Sequence, residues 1–261
     1  MVELIKRAEM SKLVSFSVWG DRKSYLDGSI ENIHLCKEIY PGWDVRFYCD
    51  EEVSRSFMKE AESLGAQIVV KKTISSPWEG LFWRFLPAGE QNVDIFISRD
   101  IDSRVNVREQ AAVNEWLRSD KPLHCMRDHV EHNVPILGGM WGCKKGILID
   151  MPQFIDEWQK KDYKGCDQDF LREVVWDKLK KHALVHDKFY QGLTIINGEM
   201  KEGYIFHYDP PVVQEGEEAP PPPQMPEYIY DPLTFFGPHE LRPFPPHEKM
   251  THGVHVGEII Q

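Results

Sequence analysis

Two aspartates, Asp100 and Asp102, stand one residue apart directly after the run Ile95, Phe96, Ile97 and Ser98. That run has the composition of a buried strand. On extended backbone, residues two apart share a face, so the spacing sets both carboxylates side by side. Like charges held close are costly until a cation joins them. Hard divalent ions take oxygen ligands and keep substrate phosphates in their shell. The pair therefore reads as the seat of a metal carrying a phosphate, and the chain as an enzyme that handles a nucleotide diphosphate. An Asp-x-Asp alone is a weak signal, common on solvated turns; its place behind an apolar strand strengthens it. A phosphatase-type Asp-x-Asp-x-Thr fits less well, because Arg99 precedes the pair, Ser103 follows it and three strands come before.

Other residues could join this chemistry, each with a plainer alternative. Arg84 follows Trp83 off the apolar stripe of a short helix. It is either a surface arginine or a guanidinium fork for phosphate and sugar oxygens. Arg99 could simply balance the aspartates. Asp167, Gln168 and Asp169 open a helix after Gly165 and Cys166, where acids are favoured in any case. Arg127, Asp128, His129 and His132 form a polar cluster, either surface or a contact for a sugar or acceptor. Gly138, Gly139 and Gly142 allow either turns or close backbone approach to a sugar. Trp141 either stacks on a sugar ring or fills core.

The elements that must position these residues alternate. Strands are expected at residues 12–19, 44–49, 66–70, 93–98 and 123–126. Helices are expected at 25–40, 51–64 (with Asp50 as N-cap), 78–86, 107–119 and 168–180. This alternation predicts an α/β fold with a mostly parallel central sheet and flanking helices, in which ligands bind beyond the carboxyl ends of the strands. The stretch from Asp209 to Pro246 holds 12 of the 18 prolines and reads as extended or partly disordered. Gly253 to Ile260 could dock back as a strand. The expected organisation is one domain over 1–208 and a Pro-rich C-terminal segment over 209–261 that packs on it or trails it.

Bulk properties narrow the class. A formal charge of −11 argues against nucleic acid, whose phosphates need Lys and Arg clusters. The five cysteines, Cys36, Cys49, Cys125, Cys143 and Cys166, are odd in number and lack CxxC spacing. They read as reduced thiols of a cytoplasmic protein. The N-terminal residues are charged without an apolar run, so no leader or membrane anchor is expected.

Taken as an ordered set, Ser98 to Arg104, Arg108-Glu109, Glu115 to Leu117, His124 to His129 and Gly138 to Gly142 resemble GT-A-type glycosyltransferases with a DxD motif. Small bacterial enzymes and the capsid-glycan transferases of large algal viruses are nearest. The resemblance covers about residues 12–190, and Pro243 to Pro245 with Val256-Gly257 resemble the tail of those proteins. It implies a GT-A-like fold, a nucleotide-sugar donor (a UDP-sugar foremost) and Mn²⁺ or Mg²⁺ on Asp100 and Asp102. It further implies an oligosaccharide or glycoprotein acceptor and a cytoplasmic setting, in the host cytoplasm if the chain is viral. By resemblance, Asp167 is the catalytic base, or orients the sugar if configuration is retained, and Asp128 is second candidate. His186, or alternatively His207, completes the metal shell. Ser17, Trp19, Asp21, Arg84, Asp100, Ile101, Gly138 and Gly139 hold the donor, with Tyr25 and Asp50 as weaker candidates. Inversion is the expected outcome, with Asp102 the direct ligand and Asp100 on the ribose. The alternatives are a retaining transferase, a non-catalytic sugar-nucleotide or glycan-binding module, and nucleotidyl transfer, for which the basic loop at Trp19 to Lys23 is a poor match.

Overall fold

The computed structural model describes residues 10–72, 78–127, 134–158 and 163–187, and the backbone of 195–196, 199–200 and 240–242. The strands are β1 (Lys12–Val18), β2 (Asp44–Asp50), β3 (Gln67–Lys71), β4 (Ile95–Ser98), β5 (Leu123–Arg127), β6 (Trp141–Lys144), β7 (Ala183–Asp187), β8 (Ile195–Ile196), β9 (Glu199–Met200) and β10 (Glu240–Arg242). Eight of them form one sheet in the order β10-β7-β5-β6-β4-β1-β2-β3, while β8 and β9 pair with each other. All pairings in the large sheet are parallel except those of β6, which runs antiparallel to both β4 and β5. The expected α/β architecture with a mostly parallel sheet is thus observed.

Helices cover both faces. Along β1, Val14, Phe16 and Val18 enter one core and Leu13 the other, as period-two alternation requires. The first core takes Ile33 and Ile39 from α1 (Lys23–Ile39), Phe57 from α2 (Arg55–Ser63) and Trp116 from α4 (Val107–Arg118). The second takes Phe82 from α3 (Gly80–Trp83), Ile155 from α5 (Met151–Trp158) and Phe170 from α6 (Cys166–Phe170). Helix α6 continues through π-helical turns at Leu171–Trp176 into Asp177–Leu179. Burial on both faces explains why the central strands are near-continuous apolar runs.

Several elements differ from the sequence reading. Helix α2 begins at Arg55 behind Ser54, not behind Asp50. Asp50 ends β2, and its carboxylate accepts from the Glu52 backbone N–H at 3.0 Å. Strands β6 and β7 and helix α5 have no counterpart in the sequence reading. The four residues of β6 are too short and glycine-broken for periodicity to register. Within the Pro-rich tract, Glu240–Arg242 pairs with β7, so that part of it is a strand; residues 209–239 and 253–260 lie outside the described residues. No helix among the described residues is long and apolar enough to cross a membrane. All five cysteines are buried and free, and burial pushes the Cys36 and Cys125 thiols up to about 12, which keeps them protonated and inert.

Beyond β4 the chain is fixed from the α1/α4 side. Arg99 is buried and its Nε donates to Glu109 Oε2 at 2.6 Å, while its Nη1 donates to the Ser98 carbonyl at 2.7 Å. Glu109 lies in the first turn of α4, where its N–H donates to the capping Asn106 side chain at 3.0 Å and Asn106 Nδ2 donates back to Glu109 Oε1 at 2.9 Å. Arg99 therefore welds α4 to the end of β4 and does not balance Asp100 and Asp102, correcting that expectation. Asn32 of α1 donates to the Ser103 carbonyl at 2.9 Å and accepts from the Val105 N–H at 3.2 Å. Arg104 reaches Glu31 at 2.5 Å.

Removing one partner of a buried ion pair strands the other charge. Glu109→Ala is expected to cost about 3–5 kcal/mol of stability, measured by urea unfolding. A loss below about 1 kcal/mol, the scale of a surface pair, contradicts a fixing role for the Arg99–Glu109 pair.

Candidate active site

The carboxyl ends of the parallel strands share one edge, and the antiparallel β6 enters the sheet there, since Ser98 pairs with Trp141. The turn before β6, carrying Gly138 and Gly139, is therefore brought against the residues that follow β4. Three further segments meet at this edge: the end of β1, the end of α3 with Arg84, and the start of α6 with Asp167.

Arg84 is the link. It is buried, not a surface residue. Its backbone N–H donates to Ser17 Oγ at 3.0 Å, which fixes the end of α3 on β1. Its Nη1 makes a close ion pair with Asp100 Oδ1, and its Nη2 lies 3.4 Å from Asp167 Oδ2. Its Nε is buried with no hydrogen-bond partner among the described residues.

The two glycines sit against this triad. A Cβ on Gly138 would collide with the Arg84 guanidinium and come within 3.0 Å of Asp167 Oδ2; one on Gly139 would collide with the Asp100 carboxylate. Only glycine allows such backbone approach. Ser98 Oγ donates to the Gly138 carbonyl at 2.7 Å. With its amide oriented so that donor meets acceptor, Gln168 satisfies two backbone groups of the same turn, Nε2 donating to the Ile136 carbonyl at 3.0 Å and Oε1 accepting from the Gly138 N–H at 3.2 Å. Neither Ser98 nor Gln168 was singled out from sequence; a serine closing a strand and a glutamine between two acids carry no pattern that would mark them.

The aspartate pair does not share a strand face. The chain turns after Asp100, with Ser103 Oγ donating to the Asp100 carbonyl at 3.3 Å. Asp100 is turned to Arg84 and Gly139, and Asp102 stands exposed. The two remain coupled. Desolvation first, and the Asp100 charge second, raise the Asp102 carboxyl above its ordinary 3.8. Burial likewise raises Asp167, with Arg84 pulling it down and Asp100 pushing it up.

The sequence-predicted residues separate into groups. Asp100, Arg84, Asp167, Gly138 and Gly139 come together, with Asp102 beside them. Trp19 lies over Gly80, whose Cβ would meet the indole at 3.0 Å, and Asp21 is exposed behind β1. The Ser17 hydroxyl is committed to the Arg84 backbone, and the Ile101 side chain packs in the core while its carbonyl accepts from Arg104 at 3.1 Å. Trp141 is core, edge-on to Phe85 and Phe96, so the sugar-stacking alternative falls.

His186 is also corrected. It is fully buried, with Nδ1 2.8 Å from His124 Nε2 and Nε2 3.5 Å from Glu115. His124 stacks on Trp116 and is held well below its ordinary value by burial. This is a polar island under α4, and the structure does not bring it to the aspartates. Asp128, His129, His132 and His207 lie outside the described residues.

Among the described residues no group of three or more His, Cys, Asp and Glu side chains is gathered to hold a metal. Two carboxylates nevertheless fit Mg²⁺ or Mn²⁺, which are bound through one or two carboxylates with substrate phosphates and water completing the shell. Asp102, exposed beside Asp100, is a residue that could take such an ion.

No family model matches the chain, and no curated protein does. Solved structures overlap about two thirds of it. One is a glycosyltransferase involved in glycosylation of the major capsid of PBCV-1, at 14% identity and a TM-score of 0.44 over 68% of this chain and 82% of that one. Another is the galactosyltransferase LgtC in complex with donor and acceptor sugar analogs, at 14% identity and 0.47 over 68% and 74%. A third is the 4-diphosphocytidyl-2C-methyl-D-erythritol synthase of Anaerococcus prevotii, at 10% and 0.45 over 68% and 89%. Likeness of this degree says nothing of activity, which rests on the chain's own residues.

The raised Asp102 carboxyl has a stability consequence. A carboxyl whose folded value is raised contributes stability that is present below its unfolded value and lost as pH rises through the folded one. With metal chelated, Asp102→Asn is therefore expected to melt higher than the wild type at pH 7. The difference should close as pH falls toward 3.8. Thermal unfolding across that range checks it, and a variant that melts lower at pH 7 contradicts it.

Proposed function

We propose that the chain is a metal-dependent glycosyltransferase of GT-A type, moving a sugar from a nucleotide diphosphate donor, a UDP-sugar foremost, to a hydroxyl of an oligosaccharide or glycoprotein acceptor. The observation that carries this reading is the convergence of Arg84, Asp100 and Asp167 on the Gly138–Gly139 turn with Asp102 exposed beside them.

Asp102 would hold Mn²⁺ or Mg²⁺. Such an ion supplies charge neutralisation for a leaving diphosphate when bound. The other roles belong to the chain. Asp100, fixed by Arg84, is turned toward the donor side and offers an oxygen to ribose or ion. Arg84 holds Asp100 and Asp167 through its two Nη atoms, and its positive charge beside them favours the anionic donor. Gly138 and Gly139 present bare backbone where a side chain would block approach. Asp167 takes the proton of the acceptor hydroxyl in an inverting transfer. Burial supports that role, because raising a carboxyl's value makes its carboxylate a better base. In a retaining transfer Asp167 instead orients the sugar. The setting we assign is cytoplasmic assembly of a surface or capsid glycan, in keeping with the free, buried thiols.

A panel of nucleotide sugars with Mn²⁺, read by released nucleotide diphosphate, tests the reading, and NMR of the product anomer decides between inversion and retention. One donor is expected to turn over slowly without acceptor. Asp102→Asn should lower turnover by about a hundredfold or more, the scale of losing charge stabilisation in the transition state, and abolish the Mn²⁺ requirement. Binding of donors without turnover would identify a binding module instead. Full transfer by the Asp100→Asn, Asp102→Asn double variant overturns the proposal.

A further inference from the structure

We infer that Gln168 is the positioning residue that sets the distance between Asp167 and the aspartate pair, by clamping the peptide of Gly138. The geometry is independent of the proposed activity; its catalytic consequence rests on that reading.

Both ends of the Gln168 amide are spent on one turn. Nε2 donates to the Ile136 carbonyl at 3.0 Å and Oε1 accepts from the Gly138 N–H at 3.2 Å. The same Gly138 is held from the opposite side by Ser98 Oγ on its carbonyl at 2.7 Å. Ser98 is the last residue of β4 and leads into Asp100; Gln168 follows Asp167. The series Gln168, Gly138, Ser98 therefore ties the helix that carries Asp167 to the strand that delivers Asp100 and Asp102. An amide is the side chain suited to this task, since it carries a donor and an acceptor on a single plane.

The turn needs an external clamp. Gly138 and Gly139 face Arg84, Asp167 and Asp100 at distances that exclude any Cβ, so no side chain of their own can pack to hold them. Two glycines in succession also leave the backbone with many conformations to lose. Arg84 cannot do the holding alone, because its guanidinium is divided between Asp100 and Asp167. Without Gln168 the turn can drift off the triad, and the spacing of Asp167 from the aspartates becomes a distribution. Since a misplacement on the order of 1 Å costs about a hundredfold in rate, a residue that touches no reacting atom would still govern turnover. Exchange of the Gly138 amide, which loss of a direct substrate contact would not move, separates positioning from direct chemistry.

Hydrogen exchange followed by NMR and donor turnover on the full chain test this together. In Gln168→Ala the Gly138 amide is expected to exchange at least about fivefold faster, the scale of losing one intramolecular hydrogen bond, while amides of β1 and β2 keep their protection. Turnover should fall about ten- to hundredfold with KM for donor changed less than threefold. Gln168→Glu supplies the second arm and a safeguard should the alanine variant fail to fold. Ionised, it accepts from Gly138 but repels the Ile136 carbonyl; protonated, its O–H can donate there. Its turnover as a ratio to wild type at each pH is expected to recover as pH falls, and the alanine ratio to stay flat. Unchanged Gly138 exchange in both variants overturns the clamp. A perturbed Gly138 with unchanged kcat overturns its role in positioning. If the wild type turns over no donor, the proposed function fails and the exchange arm still decides the clamp.

Discussion

The site depends on one guanidinium placed between carboxylates from two different elements. Arg84 binds Asp100 from the end of β4 and Asp167 from the start of α6. Without it, three acids gathered at one sheet edge would repel one another in a half-desolvated setting. With it, two are neutralised in part and the third, Asp102, is left exposed with excess negative charge. One guanidinium against three carboxylates leaves the edge net negative, most openly at Asp102. The imbalance costs stability, as functional sites commonly do, and it is the physical reason to read the edge as a site and not as a solvated turn.

Three buried arginines divide the work. Arg84 serves the carboxyl edge, Arg99 fastens α4 to β4 through Glu109, and Arg127 binds Asp187 at 2.9 Å and the Pro135 carbonyl at 3.1 Å. The latter two are scaffolding: each joins the end of a strand to an element that follows. Their buried carboxylates and caps make the strand ends rigid, so that short turns beyond them can hold functional groups in fixed relation.

The fold was largely legible because buried parallel strands and amphipathic helices leave period and punctuation in the sequence. Asp100, Asp102, Arg84, Asp167 and the two glycines were legible as types placed near strand ends or helix starts. What could not be read was partnership. Arg99 lies closer in sequence to the aspartates than Arg84 does, yet it turns to Glu109, because strand alternation sends it to the opposite face. His186 has the composition of a ligand but occupies a core position beside His124. Strand β6 was missed since its antiparallel entry is a property of the sheet and not of its four residues. The Gln168 clamp was invisible because it acts on backbone, which every sequence shares.

The most direct test of the central claim is a crystal structure of the chain with UDP and Mn²⁺, phased to show anomalous scattering from manganese. One anomalous peak is expected at coordination distance from Asp102 and from the diphosphate, with Arg84 still in contact with Asp167. A peak away from Asp102, or diphosphate bound at another edge of the sheet, would contradict it.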